Sequence, residues 1–205
     1  MLQPCTLWCM ALKILQFMNL QSLTLAVVLW FWAFSYSVAS ELLVGESKAK
    51  VCTACHGPAG VSIDPAYPIL AGQPAQAISI ALFQFREGKR KNPLMSPIAA
   101  NLTNKDLNEL AAYFSAQKAP PPKQTMTEEV AAKGKALTLQ HACIACHGAK
   151  LQGQHQMPRL AAQHRNYLRD QLIAFKDGSR LDMDGTMTSA VQSLAPQDID
   201  ILADY

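Results

Sequence analysis

The sequence predicts an all-α protein made of two similar domains that follow an N-terminal export segment. Three observations lead to this prediction. Short motifs of the first half return in the second half at offsets of 90 to 92 residues, which indicates an internal duplication. Apolar residues recur at helical spacing, and no stretch alternates convincingly as a strand. The first 40 residues are almost free of charge, unlike the rest of the chain.

The N-terminal segment has the composition of a secretory signal peptide. Lys13 is the only charged residue among the first 40, and residues 20–39 are rich in Leu, Val, Trp and Phe and end in Ser-Val-Ala. This pattern predicts a signal peptide over residues 1–39, cleaved after Ala39, and a mature protein in the bacterial periplasm. An uncleaved anchor is the alternative, because about 20 uncharged residues can cross a bilayer; the protein would then be membrane-associated. Met10 offers a second start.

The repeat sets the expected domain boundaries. The first domain is predicted over residues 40–118 and the second over residues 125–205. Between them, residues 119–124 are Pro-rich and are expected to form a stiff polyproline linker. The first repeat continues past Tyr113, whereas the chain stops at the equivalent Tyr205. The last helix is therefore expected to be truncated.

Three helices are predicted in each domain, joined by long loops rich in Gly and Pro. They cover residues 41–55, 74–88 and 103–118 in the first domain, and residues 128–146, 164–178 and a segment from Pro196 in the second. The predicted helix ends are a capping box of Thr125 with Glu128, an N-cap at Thr103, and C-caps at Gly88 and Gly178.

Each domain carries one Cys-x-x-Cys-His motif, at residues 52–56 and 143–147. A thioredoxin-like disulfide belongs near a βαβ pattern, which is missing here. A zinc site of four thiolates has no use for the His behind each pair. Covalent haem uses every residue, because each Cys adds to a vinyl group and the His binds iron. The motifs therefore predict two covalently bound haem c groups, attached to Cys52, Cys55, Cys143 and Cys146, with His56 and His147 on the irons.

These motifs resemble those of the dihaem cytochrome c4 family, which consists of tandem class I cytochrome c domains. The resemblance extends from about Glu41 to the C-terminus and includes CTACHG with CIACHG, PILAGQ with PRLAAQ, and NPLMSPIAANL with GTMTSAVQSL. It implies that each domain wraps around its haem, and that Pro68 and Pro158 offer backbone carbonyls to His56 and His147. It also implies close helix crossings of Gly45 with Tyr113 and of Gly134 with Tyr205.

Met95 and Met187 are the predicted sixth ligands of the two irons. Each stands seven residues before a Leu that the two repeats share. Met157 and Met183 are rivals in the second repeat, but Met157 aligns with Tyr67 and Met183 falls in an insertion. A thioether favours the reduced iron, so a high reduction potential is expected.

Charge is close to balanced once residues 1–39 are removed, at 17 − 15 = +2. Nucleic acid is not an expected partner, because it requires a concentrated basic face. A local basic cluster of Arg86, Lys89, Arg90 and Lys91 is expected to be a solvated face; pairing with haem propionates or docking of an acidic partner are the alternatives. His141, His155 and His164 have no counterpart in the first repeat and are expected on the surface or in loops.

The predicted function is that of an exported dihaem c-type cytochrome that carries single electrons between respiratory redox proteins. It is not expected to be an enzyme, because His and Met on both irons leave no open coordination position. The resemblance implies a donor such as a quinol-oxidising complex and an acceptor such as a terminal oxidase. The alternatives are the cytochrome subunit of a flavoenzyme such as sulfide dehydrogenase, and a zinc-binding module.

Overall fold

The computed structural model describes residues 42–122 and 125–205. Within these ranges the regular structure is helical, apart from one isolated bridge between Gln154 and Met157, which confirms the all-α prediction for this part of the chain. The predicted signal peptide, residues 1–39, lies outside the described residues. In the described ranges, no helix has the length and apolar character needed to cross a membrane.

The same order of helices occurs twice. The first repeat (residues 42–118) contains α1 (42–49), α2 (Thr53–His56), a 3-10 turn (Pro58–Gly60), α3 (Ala75–Arg86), α4 (Met95–Ala99) and α5 (Asn104–Ala116). The second repeat (residues 125–205) contains α6 (Glu128–Gln140), α7 (Cys143–His147), α8 (Arg165–Lys176), α9 (Thr186–Ala190) and α10 (Pro196–Asp204). Helix α3 packs against α5, and α10 packs against α6 and α8.

The helices that were predicted to run into the Cys-x-x-Cys-His motifs are interrupted. In the first repeat a turn at residues 50–52 separates α1 from α2. In the second, Ala142 adopts a left-handed conformation with φ of 53°, so that α6 ends and α7 begins as a separate turn. At both interruptions the turn that holds the motif does not continue the preceding helix. The periodicity of the sequence does not reveal these breaks.

The helix caps are partly those expected. Thr103 caps α5 and forms a capping box with Asp106, whose amide donates to the Thr103 hydroxyl at 3.2 Å. The prediction for α6 was wrong by two residues, because the cap is Thr127, which accepts from the Val130 amide at 3.2 Å. The glycines expected as C-caps, Gly88 and Gly178, have positive φ but follow the actual C-cap residues Glu87 and Asp177.

Two close helix crossings hold the first and last helices of each repeat together. A Cβ on Gly45 would lie 2.3 Å from the Glu109 carbonyl oxygen and 2.9 Å from the Cβ of Tyr113. A Cβ on Gly134 would lie 2.3 Å from the Cβ of Tyr205. Only glycine permits backbones to approach this closely.

Each repeat has its own apolar core within one compact unit, residues 42–205. The first core contains Ala49, Ile78, Leu110, Ala111 and Phe114, and the second contains Phe175, Val191, Leu194 and Ile199. Ion pairs link the helices around these cores: Lys48 binds Asp106 and Glu109 in the first repeat, and Arg165 binds Asp200 and Asp204 in the second.

Candidate cofactor-binding site

Each Cys-x-x-Cys-His motif is folded around one helical turn, α2 or α7. One turn brings cysteines that are three residues apart onto the same side of the helix. The four thiols are half-buried, and burial raises the pKa of the Cys52 and Cys143 thiols above the ordinary value.

The two motif histidines are buried and held by a single type of contact. His56 is 5% exposed, and its Nδ1 lies 2.8 Å from the Pro68 carbonyl oxygen. His147 is 6% exposed, and its Nδ1 lies 2.8 Å from the Pro158 carbonyl oxygen. Because a carbonyl only accepts, Nδ1 must carry the proton, and Nε2 keeps its lone pair for a metal ion. Burial also lowers the pKa of both imidazoles, which favours the neutral ligand form.

One continuous cavity of about 1390 Å³ extends through both repeats. It exceeds the roughly 300–1,000 Å³ of a site for one small ligand. All eight residues that were predicted to hold haem line it: Cys52, Cys55, His56, Met95, Cys143, Cys146, His147 and Met187. The chain thus brings the predicted residues of both repeats to the walls of a single space.

The methionine in the first repeat starts a short helix where only a loop was expected. The Asn92 side-chain oxygen accepts from the backbone N–H groups of Leu94 and Met95, both at 2.9 Å. This contact fixes the backbone from which the Met95 side chain departs. Sequence reasoning missed the role of Asn92.

The equivalent anchor in the second repeat is a carboxylate. Asp182 stands 90 residues after Asn92 and accepts from the amide of Met187 at 2.8 Å and from the amide of Thr188 at 3.1 Å. Burial raises the pKa of Asp182, but the hydrogen bonds from Thr188 and Met187 outweigh it and lower the pKa to about 2. Asp182 is therefore ionised at neutral pH. The repeat offset was the signal that could have found this residue.

The rival methionines are placed differently from Met187. Met183 is 58% exposed, whereas Met187 packs against the second apolar core. Met157 and Met183 also line the cavity, but the Met157 backbone forms a tight turn with Gln154, with N–H to carbonyl distances of 2.8 and 3.0 Å.

Two equivalent arginines point into the molecule, one from each repeat. Arg90 stacks over the Phe85 ring at 4.5 Å, and Arg180 stacks over the Phe175 ring at 4.4 Å. The expected solvated cluster is thus divided, because Arg90 turns inward while Lys89 and Lys91 are exposed.

The two arginines meet at Gln171 on α8. Arg90 donates to the Gln171 side-chain oxygen at 2.8 Å and to the Tyr167 hydroxyl at 3.0 Å, and Arg180 donates to the same Gln171 oxygen at 2.6 Å. The Arg180 Nε is buried and has no hydrogen-bond partner among the described residues. Burial, together with the charge of Arg90, lowers the pKa of Arg180 to about 10, so the side chain remains charged at neutral pH.

These contacts fit haem in each repeat. A haem brings carboxylates that could pair with these guanidinium groups, and its iron takes imidazole and thioether ligands. In the described ranges, no group of three or more His, Cys, Asp or Glu side chains is placed to hold a metal ion. The fold and the cavity together define a c-type cytochrome with two haem-binding units.

Comparison with known proteins agrees with this class. The chain matches the family model described as "Cytochrome c" over residues 131–205, and the model described as "Cytochrome C oxidase, cbb3-type, subunit III" over residues 47–114. Cytochrome c4 of Thiocapsa roseopersicina is 39% identical over 173 residues, which cover 78% of this chain and 88% of that protein.

Two further relatives extend the comparison. The crystal structure of reduced recombinant cytochrome c4 from Pseudomonas stutzeri matches with a TM-score of 0.72 and 31% identity, over 79% of this chain and 95% of that one. The thiosulfate dehydrogenase electron acceptor of Thiomonas intermedia is 37% identical over 160 residues, 73% of this chain and 72% of that protein. The chain belongs to the cytochrome c4 family. It carries two covalently bound haem c groups and is a dihaem c-type electron carrier.

Proposed function

We propose that the protein is a periplasmic one-electron carrier between respiratory redox proteins. Cys52 and Cys55 hold the first haem, and Cys143 and Cys146 hold the second. The observation that carries this proposal is the pair of buried, neutral histidines beside these cysteines, each oriented by a proline carbonyl at 2.8 Å. The same arrangement in both repeats supports two haems of the same kind.

His56 with Met95, and His147 with Met187, are the proposed iron ligands. The bound haem supplies an iron that gains and loses one electron reversibly. With two protein ligands on each iron no position is open for a substrate, so the protein acts as a carrier and not as an enzyme. The hydrogen bond from each histidine ring to its proline carbonyl fixes the orientation of the ligand ring.

The proposed organisation follows the repeat, with domains over residues 40–118 and 125–205 and a linker over residues 119–124. Exposed apolar residues occur within six positions of each proposed ligand methionine in the sequence: Leu94 and Ile98 near Met95, and Leu181 and Met183 near Met187. Exposed apolar side chains suit brief docking of partner proteins. The partners that we propose are a quinol-oxidising donor and a terminal oxidase as acceptor.

A second candidate role is acceptance of electrons from a thiosulfate-oxidising enzyme. It is favoured by the 37% identity to the thiosulfate dehydrogenase electron acceptor of Thiomonas intermedia. The two roles differ in the donor and not in the chemistry of the haem sites. Reduction rates of the purified protein, measured with a quinol-oxidising donor and with a thiosulfate-oxidising enzyme, distinguish the two roles.

Mass spectrometry and a redox titration of the periplasmic fraction test the main proposal. We expect a chain that begins near Ser40 and carries two haem masses, with two one-electron waves. Changing Cys52 and Cys55 together to Ala should remove one haem mass and one wave. Retention of both haems in that variant, or a chain that keeps residues 20–39, would contradict the corresponding part of the proposal.

A further inference from the structure

Two glutamines, one from each repeat, clamp the backbone of the opposite repeat. The side chain of Gln163 donates to the Ile69 carbonyl at 2.9 Å and accepts from the Ile69 amide at 2.8 Å. The side chain of Gln73 donates to the Arg159 carbonyl and accepts from the Arg159 amide, both at 2.9 Å. The glutamines are 90 residues apart and so are their targets, so the two clamps are equivalent.

Each clamp grips the peptide unit that orients a motif histidine. The Pro68 carbonyl and the Ile69 amide belong to one planar peptide group. Its oxygen accepts from His56, and its N–H donates to Gln163 of the other repeat. The position of the oxygen that holds His56 therefore depends on a side chain 94 residues away in sequence from Ile69.

The same relationship holds in reverse for the second repeat. The Pro158 carbonyl accepts from His147, and the amide of the same peptide group, on Arg159, donates to Gln73. Gln73 is buried, at 9% exposure, so water cannot easily replace its contacts. Hydrogen bonds in a chain polarise each other, so a donating amide makes its own carbonyl a stronger acceptor.

We propose that each glutamine is a positioning residue for the haem of the opposite repeat: Gln163 for the first haem and Gln73 for the second. The inference rests on the proposed role of His56 and His147 as iron ligands. A strong acceptor at Nδ1 raises the basicity of a ligand imidazole, which stabilises the oxidised iron. Loss of a clamp therefore makes the proline carbonyl a weaker acceptor and raises the reduction potential of the haem in the repeat opposite the glutamine.

The test is a spectroelectrochemical titration of the full-length holoprotein with Gln163→Met and, separately, Gln73→Met. We expect Gln163→Met to raise only the potential of the first haem, and Gln73→Met only that of the second. The expected change is about threefold in the reduction equilibrium, which is about 28 mV at about 59 mV per tenfold for one electron. Gln117→Met is the matched control, because among the described residues its side chain bonds only the Tyr113 carbonyl of its own helix; both potentials should stay unchanged.

Nitrogen-15 NMR of the reduced protein shows in which repeat the hydrogen bond of the motif histidine has changed. Solvent exchange of the His56 Nδ1 proton should be faster in Gln163→Met, while that of His147 stays as in the wild type, and Gln73→Met should give the reverse. Equal shifts of both potentials, a shift confined to the glutamine's own repeat, or no shift would overturn the proposal. If the Gln163→Met chain does not assemble, Gln163→Ser makes the same test with a smaller side chain.

The wild-type titration keeps this inference separate from the proposed function. Before the variants are compared, the wild-type protein must show two haem waves, and His56 and His147 must be identified as the imidazole ligands of the two irons. Their absence would count against the proposed ligands. Their presence without the crossed response would count against the clamps alone.

Discussion

The Asp182 carboxylate accepts a hydrogen bond of 2.8 Å from the backbone amide of Met187. In the first repeat the neutral Asn92 makes the equivalent contact with the amide of Met95, at 2.9 Å. The two segments that carry the proposed methionine ligands thus share a contact to the methionine amide, and a negative charge supports the second. A nearby negative charge favours the oxidised form of iron.

Asp182→Asn should raise the potential of the second haem, because it removes this charge and keeps an oxygen for one of the two amides, since Met187 and Thr188 donate to different carboxylate oxygens. The expected shift is on the order of tens of millivolts. Asn92→Asp is the matched variant and should lower the potential of the first haem. Both are measured by redox titration at neutral pH, and an Asp182→Asn protein with two unchanged potentials would contradict the electrostatic argument.

Met187→Ala should lower one of the two potentials and remove half of the weak sulfur-to-iron absorption band of the oxidised protein, because the thioether ligand is lost. Met183→Ala should change neither, since that side chain is 58% exposed. A potential that responds to Met183→Ala but not to Met187→Ala would reverse the ligand assignment.

Gly45→Ala and Gly134→Ala should each destabilise the protein by about 1–3 kcal/mol, the usual cost of overpacking. The new methyl groups would collide with the Glu109 carbonyl and with the Cβ of Tyr205, both at 2.3 Å. Urea unfolding, followed by circular dichroism, measures the change. Ser47→Ala is the control, because Ser47 is exposed on the same helix as Gly45. A Gly45→Ala protein as stable as this control would show that the helices can separate at no cost.

Stability should fall in acid partly through the Lys48 contacts. Hydrogen bonds from Lys48 and Thr103 hold the pKa of Asp106 well below its usual range, and those from Lys105 and Lys48 lower the pKa of Glu109. Because both pKa values are depressed in the folded state, the stabilisation is present above the unfolded values of about 4 and is lost as the pH falls below them.

Lys48→Met should therefore lower the urea midpoint at pH 7, and the difference from the wild type should shrink at pH 3. The control is Lys133→Met, which breaks an exposed pair with Glu129 and should have little effect at either pH. A Lys48→Met deficit that is the same at both pH values would mean that the lysine stabilises by packing and not by charge.

The helical fold class could be predicted from the sequence, and candidate haem residues could be proposed from it, because both leave local signals. A Cys-x-x-Cys-His motif and a helical apolar period can be seen within a few residues. The contacts between the repeats could not be predicted in this way. His164, expected on the surface or in a loop, lies with its Nε2 2.7 Å from the Ser62 hydroxyl, 102 residues earlier. Gln73 and Gln163 gave no signal, since a glutamine's partners depend on which backbone lies opposite it.

The basic cluster shows a different limit of sequence reasoning. Four cations within six residues predict a solvated face, and Lys89 and Lys91 do lie in solvent. Arg90 cannot be distinguished from them by sequence, yet it stacks on Phe85 and bonds Gln171 inside the molecule. Arg180, at the equivalent position of the second repeat, was the signal in the sequence that could have distinguished Arg90 from the lysines.

The exposure of Lys89 and Lys91 gives a prediction about docking. Changing both Lys89 and Lys91 to Gln should slow electron exchange with an acidic redox partner and weaken the dependence of the rate on salt, because exposed charges steer the encounter. Lys118→Gln, at an exposed site near the end of the first repeat, is the control for loss of charge alone.

Arg90→Gln should behave differently from the lysine variants, because its guanidinium lies against Tyr167 and Gln171 and does not face a partner. It should leave the salt dependence of the exchange rate unchanged and should lower a haem potential, since removal of a positive charge favours the oxidised iron. Stopped-flow rates at two ionic strengths, together with a redox titration, separate the two effects. If Arg90→Gln and the double lysine variant weaken the salt dependence of the exchange rate equally, Arg90 takes part in docking, and the argument from its contacts with Tyr167 and Gln171 is contradicted.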